Sequence, residues 1–119
     1  MRTFWNTTNG LQAIDEWNPN CWVQVTCPSK EDTEYLVNEL GIPEYFLDDI
    51  ADTDERPRYE FDEGWVLIIL RIPYVKEVRS RTPYITVPLG IIMKKDVCIT
   101  VCNFESNMMI DFVNYHKKR

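Results

Sequence analysis

Three apolar runs in the second half of the chain constrain its fold more than any other feature. They occupy residues 65–72, 84–93 and 97–102. The first is apolar at every position except Arg71, the pattern of a central strand covered on both sides. The second carries Pro88 and Gly90, which mark a bulge or an edge. Lys94-Lys95-Asp96 forms a tight turn into the third. Taken in order, the runs form an antiparallel meander. The connection over residues 75–82 carries Lys76, Arg79 and Arg81 and reads as an exposed loop.

The first half supplies short strands and two helices. Residues 3–5 are β-prone, and Asn9-Gly10 and Asn18-Pro19-Asn20 are turn signals. Residues 21–26 alternate, with Trp22, Gln24 and Thr26 on one face and Val23 and Val25 on the other. Pro28 ends that strand. Ser29 caps a helix, with Asp32 reaching back in a capping-box variant. Thr33, Leu36, Val37 and Leu40 form the buried stripe, and Gly41 stops the helix. Pro43 opens a second, short helix whose inner face is Phe46, Leu47 and Ile50. Its outer face holds Asp48, Asp49 and Asp52. Residues 58–62 alternate as a half-exposed strand before the Glu63-Gly64 turn. Residues 108–115 begin a last helix, with Met109, Phe112 and Val113 inward, that the chain end cuts off. The order β-β-α-α-β-β-β-β-α predicts one α/β (α+β) domain over residues 1–119. Its form is a three-layer α/β/α sandwich with a mixed, largely antiparallel sheet and helices on both faces.

Composition excludes several functions. A chain of 119 residues buries enough surface to fold without a disulfide or a metal. A net charge of −6 argues against a nucleic-acid partner, because phosphate binding needs clustered Lys and Arg. The one basic cluster is the terminus, residues 116–119. The longest uninterrupted apolar run, residues 65–70, is far too short to span a bilayer, so the chain is expected to be soluble. Cys21, Cys27, Cys98 and Cys102 form no C-x-x-C pair and read as reduced core thiols. Trp5, Trp17, Trp22 and Trp65 read as core or subunit-interface residues. The single histidine, His116, leaves no nucleophile with a positioned base, so no enzyme is expected.

The segment from Glu44 to Glu63 stands out chemically. Nine acids there face only Arg56 and Arg58, a local net charge of −7. Asp48, Asp49, Asp52, Asp54 and Glu55 offer hard oxygen donors to a divalent cation that keeps several waters. The EF-hand pattern is absent. The plainer reading is a solvated helix face whose acids pair with Arg56 and Arg58.

Residues 39–43 (E-L-G-I-P), 46–49 (F-L-D-D) and 54–60 (D-E-R-P-R-Y-E) resemble the amino-terminal cytoplasmic domain of CorA-type magnesium transporters. So do residues 65–73, 82–84, 88–92 and 96–102, and Cys21-Trp22-Val23 followed by Pro28-Ser29. The resemblance covers residues 20–115 by order and spacing. It implies an α/β/α domain at the cytoplasmic face of the cell membrane, working as a homopentamer. It also implies magnesium or another divalent cation, weakly bound and regulatory. A stalk helix, two membrane helices and a Gly-Met-Asn signature would follow. This chain lacks them, so it is expected neither to contact the membrane nor to conduct ions. It reads as a truncated piece of the transporter or, alternatively, a stand-alone acidic protein-interaction module. The resemblance makes Glu77 the better metal-sensing candidate, in a loop of residues 74–78, with the Asp48–Glu55 cluster second.

Overall fold

A computed structural model describes residues 1–75 and 84–118. Strands β1 (Arg2–Asn6), β2 (Gln12–Ile14) and β3 (Trp22–Thr26) come first. Helix α1 (Lys30–Glu34), running on as a π-helical turn over Tyr35–Glu39, and α2 (Glu44–Ala51) follow. Then come β4 (Arg58–Asp62), β5 (Trp65–Val75), β6 (Tyr84–Lys94), β7 (Val97–Cys102) and α3 (Asn107–His116). The strands make one sheet in the order β2-β1-β3-β7-β6-β5-β4. Every neighbouring pair is antiparallel except β3–β7. The expected mixed, largely antiparallel sheet and its meander are both present.

Alternation along each strand sorts the core into two layers. On one face Val23, Val25, Leu67, Ile69, Ile92, Ile99 and Val101 pack beneath Leu36 of the π-turn and Phe46 and Ile50 of α2. Burying side chains of that size contributes about 2 kcal/mol each. On the other face Trp5, Leu11 and Trp22 meet Val113 of α3. Farther along it, Ile72, Val87, Leu89 and Cys102 form a smaller cluster. Helices therefore lie on both faces, among the described residues two on the first and one on the second.

Local chemistry fixes where the helices start and stop. Ser29 Oγ accepts from the Asp32 amide at 3.1 Å, and Asp32 Oδ2 accepts from the Ser29 amide at 3.0 Å, completing the capping box. The Met1 ammonium also donates to Asp32 Oδ2, at 3.0 Å, which ties β1 to the head of α1. Gly41 ends the helical segment at φ +78°, a conformation that costs an L side chain energy. Gly90 has a different reason. Ile50 of α2 fills the space where a Cβ would stand, so a side chain there would overlap Ile50.

The sequence reading needs four corrections. Strand β5 is not covered on both sides: Val66 and Ile68 are half-buried and Leu70 is exposed, because among the described residues no helix lies over that part of the second face. Phe112 does not point fully inward. It is 48% exposed and lies edge-on to Trp22. Helix α3 is not cut off by the chain end. It stops at His116, and Lys117–Lys118 turn extended, with the Leu11 amide donating to the His116 carbonyl and the Lys118 amide to the Leu11 carbonyl. Finally, Cys27 is not a core thiol: it sits exposed at φ 47° just past β3. The Pro88 signal is legible in the ladder, since β6 loses β7 as a neighbour beyond Leu89.

Candidate functional site

The acidic segment folds around one cation. The Arg58 guanidinium donates to Asp49 of α2 at 2.6 Å, to Glu55 of the loop at 2.6 Å and to Glu60 of its own strand at 2.7 Å. The hydrogen bond to Glu60, with that to Asp49 behind it, holds the guanidinium charged against the effect of burial. Tyr45, on the first turn of α2, sets its hydroxyl 2.7 Å from both Glu60 and Asp62. One phenolic proton thus faces two carboxylates. The hydrogen bond to Glu60, then that to Asp62, pushes the phenol well above the usual tyrosine range. The same hydroxyl, followed by Arg58, holds Glu60 below the usual carboxylate range.

A second arginine fixes the loop to the sheet. Arg71 donates to the carbonyls of Thr53 and Glu55 at 2.9 Å each, and to the side chain and carbonyl of Thr86 at 2.8 and 2.6 Å. Asp52 Oδ1 accepts from the Asp54 amide at 2.9 Å and closes the turn that begins the loop.

Of the residues singled out from sequence, Asp49 and Glu55 converge on Arg58. Asp52 is engaged in its turn, and Asp48 and Asp54 project into solvent. Glu77, with the rest of the basic loop, lies outside the described residues. Arg56 makes no ion pair among the described residues, so Arg58 alone organises the cluster. Among those residues no three His, Cys, Asp or Glu side chains stand as a group that could hold a metal ion. Tyr45, Glu60, Asp62 and Arg71 were missed as organisers. The signal for Glu60 and Asp62 is the alternation of residues 58–62, which places them with Arg58 on the face shared with α2; nothing local marks Tyr45 or Arg71.

Elsewhere an open apolar trough of about 430 Å³ runs between α3 and the sheet, lined by Trp22, Leu89, Ile91, Met109 and Phe112. Thr100, also in its wall, is already bonded to the Trp22 indole at 2.9 Å, so the trough presents no convergent polar set.

Residues 17–118 match the family described as CorA-like Mg2+ transporter protein. The chain belongs to that family. Its fold superposes on the complete CorA magnesium transporter of Methanocaldococcus jannaschii with a TM-score of 0.76 at 24% identity, covering 97% of this chain and 36% of that one. The soluble domain of the same CorA gives 0.74 at 24% identity, over 98% of this chain and 46% of that one. The ZntB cytoplasmic domain from Vibrio parahaemolyticus gives 0.70 at 17% identity, over 98% of this chain and 50% of that one. At these identities the likeness speaks for the fold. The chain spans from about a third to half the length of these CorA and ZntB structures. No curated protein matches the sequence. No helix among the described residues of this CorA-like chain is long and apolar enough to cross a membrane.

Proposed function

We propose that this chain serves as the metal-sensing regulatory domain of a CorA-like magnesium transporter. It works at the cytoplasmic face of the membrane within a homopentamer whose remaining segments conduct the ion. The observation that carries this reading is the family match over residues 17–118, joined to a fold shared over nearly the whole chain with a CorA soluble domain.

The chemistry of the acidic segment supports a regulatory role for the cation. Arg58 already neutralises part of the cluster, which leaves Asp48 and Asp54 exposed and without an ion pair among the described residues, and Asp52 with one oxygen engaged in its turn; Glu77 joins them as a candidate on the family resemblance alone. Such exposed acids repel like-charged neighbours when subunits pack. A divalent ion between them relieves the repulsion and shifts the population toward the packed state, and its loss shifts the population back. One subunit offers only half of such a site. Magnesium is thus bound weakly, through water, and is not needed for folding, which the two-layer core accomplishes.

The test is a magnesium titration of the 119-residue chain followed by backbone amide NMR, with sodium chloride matching ionic strength. The reading expects fast-exchange shifts at Asp48, Asp52, Asp54 or Glu77 in the millimolar range, with the rest of α2 and the core unmoved. If those amides stay still while ionic strength alone moves the spectrum, the sensing role is wrong.

A further inference from the structure

We propose that the β4 edge of the sheet is a docking site for an extended segment of a partner protein in which Lys or Arg alternates with apolar residues. Strand β4 is the outermost strand on its side, and no described residue pairs with its outer edge. The opposite edge is treated differently. There β2 is only three residues long, and Lys117–Lys118 hydrogen-bond beside it through Leu11.

Natural edges are blunted by short length, proline, charged side chains (lysine above all), bulges or a covering segment, and of these β4 carries charge, confined to its α2 face. Residues 58–62 contain neither Pro nor Lys, and their register with β5 is unbroken from Arg58↔Ile69 to Asp62↔Trp65. About half of the backbone donors and acceptors over these five residues, those that do not face β5, are thus available to an added strand.

The two faces of β4 specify what that strand carries. On one face Tyr59 and Phe61 are 66% and 69% exposed, their rings edge-on at 5.7 Å. They continue an apolar surface through Ile68 and Leu70, and apolar side chains of an added strand would cover them. On the other face lie Arg58, Glu60 and Asp62, with Asp49 and Glu55 behind. Arg58 is occupied by three of these four acids, so the row stays acidic overall. Basic side chains at alternate positions of the added strand would meet it. A second copy is the poorer occupant because it brings another net-acidic row: two-fold antiparallel pairing about Glu60 opposes Arg58 to Asp62 but sets two Glu60 carboxylates face to face and adds no net positive charge. The open backbone, the aromatic row and the acidic row fall on one strand and call for one alternating pattern.

The experiment measures fluorescence anisotropy of two labelled peptides with the 119-residue chain. One alternates Lys and Val; the other has the same composition with the lysines and valines in separate blocks. The alternating peptide is expected to bind about tenfold tighter, to weaken with added salt, and to lose about fivefold on Phe61→Ser. Glu60→Gln with Asp62→Asn should flatten the salt dependence while the Phe61 effect persists. Phe61 is exposed, so the fold should survive its replacement, and Tyr59→Ser provides a second variant if it does not. Equal binding of the two peptides, no binding, or insensitivity to both aromatic variants overturns the proposal. So does concentration-dependent dimerisation abolished by Phe61→Ser, which would assign the edge to a second copy.

Discussion

Gly90→Ala tests how tightly α2 is seated on the sheet. The added methyl would overlap both Cγ1 and Cδ1 of Ile50, which is 1% exposed. Rotating χ2 moves Cδ1 but leaves Cγ1 in place. Relief therefore needs a change in χ1, which is stiff for a β-branched residue in a helix, or a shift of α2 itself. Overpacking of this kind costs about 1–3 kcal/mol. For a domain of this size that lowers the melting temperature by roughly 4–12 °C. Ile50→Ala alone should cost about 2–5 kcal/mol by leaving a cavity beneath the helix. The two changes compensate, because the new methyl enters space that Ile50 has vacated. The double variant should be less destabilised than the sum of the singles by about 1–2 kcal/mol, read from urea unfolding of all four proteins. Additive effects would show that Gly90 and Ile50 do not touch, and the seating of α2 over β6 described above would be wrong.

Three further outcomes follow from the charged and thiol groups. Arg58→Met should destabilise the fold by about 1 kcal/mol at low salt, since Asp49, Glu55 and Glu60 lose their shared partner, and added salt should recover part of that loss; equal unfolding midpoints at all salt concentrations would refute the hub. For Asp32, burial alone would raise the carboxyl, but hydrogen bonds from the Ser29 amide, the Met1 ammonium and the Ser29 hydroxyl outweigh it and hold the carboxyl below its ordinary value. A depressed folded value gives stability that is present above the unfolded carboxylate range and lost as pH falls through the folded value. Asp32→Asn should therefore cost about 1–2 kcal/mol near neutrality, and its unfolding curve should converge on that of the parent in acid; parallel curves would contradict this. Cys27 should react with a thiol reagent well before the other three cysteines, because it is exposed whereas burial pushes the Cys98 and Cys102 thiols up; mass spectrometry of partly modified protein would show otherwise if a buried thiol led.

The parts of the fold legible in the sequence were those set by local chemistry. Ser29 and Asp32 form a cap within four residues, Gly41 permits a left-handed turn, and the apolar runs dictate buried strands. Those signals act over a few residues and need no knowledge of what lies across the sheet. The misread features all depend on such knowledge. An unbroken apolar run such as β5 reads the same whether one or both of its faces are covered, and only the number of helices above each face decides. Among the described residues the second face has one helix, and Leu70 ends up exposed. Strand β4 shows the same limit more sharply. Its alternation was clear, yet hydrophobicity alone would turn Tyr59 and Phe61 inward. They face outward because register with β5 sets Arg58, Glu60 and Asp62 beside Ile69, Leu67 and Trp65, where Tyr45 and Asp49 of α2 supply polar partners. The acidic segment is unusual in the sequence itself, but its arrangement depends on one long-range choice, Arg58 over Arg56. That choice turns on which arginine points toward α2, and only the paired strand fixes it.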